Sequence, residues 1–217
     1  MFDLSAEQVR ILGCLMEKQV TTPDQYPLTV NALMSACNQS TSRVPVVRYS
    51  EHAVNEALTS LRSLGLTRVV HSTSNRAAKH RQVASEVWNL DEPAHALMTV
   101  LMLRSAQTVG ELKTRTERMH TFSSLGEVET VLDALAAREE PLVVRLPRAP
   151  GQKDARYVHL LSGTPDVEAL DTMAAAPTGA AAVRADRIAE LEAAFAASVA
   201  RIDDLEARIA QLEELLN

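Results

Sequence analysis

Between positions 43 and 81 the chain carries seven Lys+Arg against two Asp+Glu, with His52, His71 and His80 besides. Arg43, Arg48, Arg76, Lys79 and Arg81 are cations of the kind that hold phosphate oxygens. His52, Asn55, Thr59 and Arg62 recur at spacings of three and four, one face of a helix. These types hydrogen-bond to base edges or phosphates in a DNA groove. The other face of that helix, Val54, Leu58, Leu61 and Leu64, is apolar and belongs to a core. The chemistry open to this set is binding of double-stranded DNA, not bond-making. Glu51 and Glu56 count against it.

Catalytic signatures are missing elsewhere. The chain contains no Gly-x-x-x-x-Gly-Lys phosphate loop, no Gly-x-Gly-x-x-Gly turn and no Gly-x-Ser-x-Gly elbow. Its six histidines, at 52, 71, 80, 95, 120 and 159, have no metal-ligand spacing. Cys14 and Cys37 sit inside apolar stripes and read as free buried thiols, not as activated nucleophiles. The chain is expected to be non-enzymatic, with no cofactor and no metal.

A second candidate is the long stretch TTPDQYPLTVNALMSACNQSTSRVPVV, residues 21–47. It is dense in turn-forming and polar residues: Thr21, Thr22, Pro23, Tyr26, Pro27, Asn31, Asn38 and Gln39, then Arg43. Loops longer than structure requires are common seats of function.

An internal repeat supplies the frame. Val54-x-x-Ala57-Leu58-x-x-Leu61 recurs as Val128-x-x-Val131-Leu132-x-x-Leu135, 74 residues on. Thr29-Val30-x-x-Leu33 matches Thr108-Val109-x-x-Leu112 at offset 79, and Ile11-Leu12-x-x-Leu15 matches Leu97-Met98-x-x-Leu101 at 86. The falling offsets show that the first copy is longer by 7 residues between its first two helices and by 5 between the next two. The quoted stretch holds both excesses. Capping-box pairs mark helix starts at Ser5 with Gln8, Thr108 with Glu111 and Ser124 with Glu127.

Each copy predicts three helices and a two-stranded hairpin, the winged-helix plan. Strands are expected near 66–71 and 82–89 in the first copy and near 142–147 and 155–161 in the second. Trp88 and Leu90 are expected to close the first core. The third helix of the second copy would expose Glu127, Glu129, Thr130 and Asp133, a face that phosphates repel.

Residues 163–181 are rich in Ala, Pro, Thr and Gly and read as a linker. Beyond them a heptad places Ile188, Phe195, Ile202, Ile209 and Leu216 at a, and Leu191, Ser198, Leu205 and Leu212 at d. Arg187, Arg201 and Arg208 at g face Glu192, Glu206 and Glu213 at e of a parallel partner. The seam predicts a parallel homodimer through Ile188, Leu191, Phe195, Ile202, Leu205, Ile209, Leu212 and Leu216. A tail folded back on its own chain is the alternative.

The expected class is therefore mainly α with small β wings (α+β). The expected boundaries are a first winged-helix domain over 1–91, a second over 92–162, the linker over 163–181 and a coiled coil over 182–217. The net charge of −6 is uneven: +2 over 1–90, −1 over 91–162 and −7 over 163–217. No apolar run reaches the roughly 18 residues of a membrane span, and the N-terminus lacks a signal-peptide core. The cytoplasm is the expected compartment.

Glu17-Lys18, Thr21-Thr22-Pro23, Tyr26-Pro27-Leu28, Asn31, Ala36-Cys37-Asn38-Gln39, Arg43, Pro45, the NRAAKHR wing and GELKTRTERMHTF form one long signature. It resembles that of the bacterial YceH-like family of tandem winged-helix proteins, whose biochemical function is unassigned. The resemblance covers about residues 4–162. Where that family usually has Lys-Ser-Asn-Arg-Asp-Pro, this chain has Ser40-Thr41-Ser42-Arg43-Val44-Pro45. One positive charge is lost, and an acidic residue is replaced by an apolar one. The first expectation is a DNA-binding dimer, a transcriptional regulator working through the first copy. The alternative is a non-enzymatic scaffold that docks an unknown protein partner through the TTPDQYP and NQSTSR loops.

Overall fold

The computed structural model describes residues 3–70, 78–148 and 154–165. It is a mixed α/β structure with small antiparallel sheets. The chain falls into two units, Met1–Ala176 and Pro177–Asn217. The heptad lies wholly in the second unit. The heptad, the linker beyond residue 165 and residues 71–77, which include Arg76 of the expected wing, lie outside the described residues.

The order of elements repeats. First come α1 (Ala6–Thr21), β1 (Leu28–Thr29), α2 (Val30–Cys37), α3 (Glu51–Ser63), β2 (Thr67–Val70), β3 (Lys79–Gln82) and the single turn α4 (Ala84–Val87). Then come α5 (Glu92–Arg104), β4 (Gln107–Thr108), α6 (Val109–Thr116), α7 (Leu125–Ala136), β5 (Val143–Arg145) and β6 (Arg156–His159). The sheets are ordered β1-β3-β2 and β4-β6-β5, all pairs antiparallel.

Local chemistry sets the helix starts. Ser5 accepts from the Gln8 N–H while Gln8 bonds back to the Ser5 N–H, and Thr108 and Glu111 do the same. Ser124 caps α7 by accepting from the Glu127 N–H, but the Glu127 carboxylate reaches Ser123 instead, so that box closes one residue early. Thr29 and Ser50 cap α2 and α3 in the ordinary way.

Two expectations fail. Each sheet has a third, two-residue strand ahead of its second helix, β1 and β4, too short to show any period in sequence. And residues 82–89 are not a strand. The strand is Lys79–Gln82; Val83 makes one further bond, to the Leu66 carbonyl, and the chain then turns into α4. Gln82 starts that turn: its side-chain carbonyl accepts from the Ser85 N–H at 3.0 Å. Val83, Val87 and Trp88 have helical spacing, not alternation, and Trp88 is buried with Leu90 packed beside the core.

The core is shared between the repeats. In α1 every residue from Val9 to Met16 is buried, and in α5 every residue from Ala94 to Leu103. A helix buried all round belongs at the centre of a structure. These two pack on each other, and one hydrophobic cluster runs from Leu4 to Leu161. The crossing is tight at Gly13: a Cβ there would lie 3.0 Å from Leu103 Cδ2 and 3.1 Å from Met102 Cβ. Gly13→Val is expected to overpack the crossing and cost about 1–3 kcal/mol. Equilibrium urea unfolding checks this; unchanged stability would mean that α1 and α5 separate freely.

Candidate functional site

The α3 helix carries the first group of candidates. Val54, Leu58 and Leu61 are buried, and His52, Asn55, Thr59 and Arg62 are exposed. His52 is 3.5 Å from Glu56 across one turn. Thr59 Oγ1 donates to the Asn55 carbonyl at 2.9 Å, so its hydroxyl can still accept. Arg48 is exposed in the segment leading to the Ser50 cap.

The β2–β3 hairpin carries the second group. Arg68 lies opposite Arg81 and Val70 opposite Lys79, so Arg68, Lys79 and Arg81 share one face of the sheet. Arg81 is paired with Glu86 at 2.9 Å, and its hydrogen bond and charge, with Arg68 adding, hold the exposed Glu86 carboxyl below its usual pKa. His80 projects to the other face, where burial and then the Arg62 charge lower its pKa. Arg62 and His80 are thus brought together, whereas Lys79 and Arg81 stand on the opposite side of the sheet. Arg76 lies outside the described residues. Arg68 was not among the sequence candidates; its position at the strand start was the available signal.

Arg43 is corrected outright. It is 2% exposed, and its guanidinium is spent inside the protein. Nε donates to the Ala36 carbonyl at 3.0 Å. Nη1 donates to Glu17 Oε1 at 3.1 Å and to the Ser42 carbonyl, and Nη2 to Glu17 Oε2 at 2.6 Å and Gln39 Oε1 at 2.8 Å. Every N–H direction of the fork has an acceptor. Burial alone would raise the Glu17 pKa, but the Arg43 hydrogen bonds and charge, with Lys18, outweigh it and hold it low.

The rest of the signature stretch follows suit. The Asn38 amide closes on Tyr49, donating to its carbonyl at 2.9 Å and accepting from its N–H at 2.7 Å. The Val44 N–H donates to the Leu103 carbonyl at 2.9 Å, and Arg104 to Ser42 Oγ at 2.7 Å. The five extra residues between α2 and α3 therefore form a latch onto α5. The seven extra between α1 and α2 hold the hairpin: Tyr26 Oη accepts from the Gln82 N–H at 2.7 Å. Burial lifts the Tyr26 phenol to about 12. Thr21 and Thr22 donate back to the Glu17 and Lys18 carbonyls. Pro23 and Asn31 are exposed; Pro27 is half-buried. Tyr26→Phe is expected to leave the Gln82 N–H unpaired and cost about 1–3 kcal/mol. Chemical denaturation reads this directly, and a neutral result would dismiss the tether.

A part-buried polar chain also crosses between the repeats. Gln82 Nε2 donates to Gln19 Oε1 at 2.6 Å and Ser85 Oγ at 3.1 Å; Ser85 Oγ lies 2.8 Å from His95 Nδ1, and His95 Nε2 lies 3.1 Å from the Met16 carbonyl. A carbonyl only accepts, so Nε2 carries the proton and Nδ1 accepts from Ser85. Burial keeps this imidazole neutral by lowering its pKa. Cys14 and Cys37 are free and buried.

The molecule is thus a mixed α/β protein of two repeated helix-and-sheet units, and among the described residues no helix is long and apolar enough to cross a membrane. Residues 4–152 match a family described as "Protein of unknown function, DUF480". Similar relatives are the "UPF0502 protein YceH" of Salmonella paratyphi A and of Salmonella typhimurium. Each is 44% identical over 215 residues, covering 97% of this chain and 99% of the relative. The chain belongs to this uncharacterised bacterial family.

Proposed function

We propose that each repeat is a winged helix, over 1–91 and 92–162, and that the first binds double-stranded DNA as a non-enzymatic, cytoplasmic transcriptional regulator. The observation that carries it is the α3 face. Four side chains able to hydrogen-bond, His52, Asn55, Thr59 and Arg62, are exposed opposite a buried apolar face, inside a segment of local charge +5. A helix presenting such a face fits the major groove, with Arg48, Arg76 and Lys79 in the role of phosphate contacts. The second repeat presents Glu129, Thr130 and Asp133 on the matching helix and suits DNA poorly. The heptad over 182–217 would pair two chains in parallel and give two reading heads.

Asn55→Ala with Arg62→Ala is the direct test. A selected duplex is expected to bind the double variant about tenfold to a hundredfold more weakly, since a good base contact carries roughly 1–3 kcal/mol. Equal binding by variant and wild type, with unchanged circular dichroism, sinks the assignment. The alternative, a protein-docking scaffold, draws its support from the acidic second repeat and from the exposed Pro23, Asp24 and Gln25 turn.

A further inference from the structure

Arg10 lies in the first turns of α1 and is 4% exposed. Nη1 donates to the Cys37 carbonyl at 3.2 Å and Nη2 to the Pro45 carbonyl at 2.7 Å. Its Nε–H has no acceptor among the described residues. No carboxylate among them pairs with it, in contrast to Arg43 beside Glu17. A buried guanidinium without a counter-ion is costly, and two neutral carbonyls offset little of that cost. Burial accordingly lowers the Arg10 pKa.

Arg10 lines a cavity of about 150 Å³ where the first repeat meets the second. Val9, Val44 and Met102 supply apolar wall; Tyr49, Ser105 and His159 supply polar groups. His159 adds no second charge: burial brings its pKa down to about 4. We propose that this cavity binds a small monocarboxylate, its carboxyl group on Arg10 and its hydrocarbon part between Val9, Val44 and Met102. One cation matches one negative charge, and a phosphate dianion would find only half its compensation. The apolar wall has no use in a site for a bare inorganic ion. A cavity of this size holds a six-membered ring or a short branched chain. The site stands whether or not the first repeat binds DNA.

Isothermal titration calorimetry of acetate, butyrate and benzoate into the full chain at neutral pH tests this. Butyrate and benzoate are expected to bind saturably at one site, acetate and inorganic phosphate at least tenfold more weakly. Benzyl alcohol, of similar size without the charge, is also expected at least tenfold weaker. Arg10→Met is expected to abolish binding. Because that variant also gives up the hydrogen bonds to Cys37 and Pro45, Ala6→Leu serves beside it. Ala6 is exposed at the cavity rim, and the larger side chain occupies the opening while leaving Arg10 in place. At least tenfold weaker butyrate binding by this variant supports the site. No saturable binding of any carboxylate to wild type, benzyl alcohol binding as tightly as benzoate, or equal butyrate binding by Ala6→Leu each overturns it.

Discussion

Replacing Arg43 with methionine is expected to remove about 3–5 kcal/mol of stability, because it strips the partner from a largely buried carboxylate. Glu17 has a side chain only 16% exposed and faces an Arg43 side chain at 0%. Without the guanidinium, Glu17 must protonate or find water, and the Ala36 carbonyl and Gln39 amide lose their donor as well. The loss should reach the junction of the repeats, since Val44 and Ser42 hold α5 through the same loop. Removing both charges together, Glu17→Leu with Arg43→Met, is expected to recover much of the loss, as apolar replacements of buried ion pairs often do. Urea melts of the three variants check the set. Equal stability of wild type and Arg43→Met would show the latch to be decorative.

The same pair predicts a pH dependence. The folded Glu17 pKa is lowered from the ordinary value of 4.5. The unfolded chain therefore takes up the proton first as pH falls. The stability this pair contributes is present above about pH 4.5 and is lost as pH falls through the folded value. Glu17→Gln should be less stable than wild type at neutral pH and should approach it in acid. A gap that stays constant from neutral pH down to about pH 3, well below the ordinary carboxylate range, would contradict this linkage.

The second large effect concerns DNA. Arg76/Lys79/Arg81→Ala is expected to flatten the dependence of log K on log salt by about 1.8–2.7, roughly 0.9 for each phosphate no longer neutralised. The lower figure applies if Arg81 stays with Glu86, its partner at 2.9 Å, and only two phosphates are involved. The α3 double variant should behave differently, losing discrimination among sequences more than salt dependence. Identical slopes for the triple variant and wild type would remove the hairpin from any role in holding DNA.

Much of the frame was legible in sequence because it rests on local chemistry. Two capping boxes, the offsets of 86, 79 and 74 and the buried Val54, Leu58 and Leu61 appear where spacing put them, but Leu64, expected in the same stripe, caps the end of α3 and is exposed. The strands over two residues were not legible, since a period of two needs more than two residues. Residues 82–89 misled because Val83, Val87 and Trp88 are β-formers in composition, while their spacing and the Gln82 side chain favour a turn of helix. The latch was hidden for a different reason. An arginine that binds phosphate and one that binds a distant Glu17 are the same residue type, and 26 positions separate this pair. The polar Glu17 following the buried run Ile11–Met16 was the one available hint. The signature residues Arg43, Asn38, Gln39 and Tyr26 thus report chiefly on how the first repeat is held together.

DNA binding by the first repeat is read by fluorescence anisotropy of the full chain on a labelled random-sequence duplex, from low to near-physiological salt. Saturable binding is expected, with log K falling linearly with log salt, steeply enough for several neutralised phosphates at about 0.9 each. No binding at low salt would contradict it, because the electrostatic footprint that precedes sequence recognition would be absent.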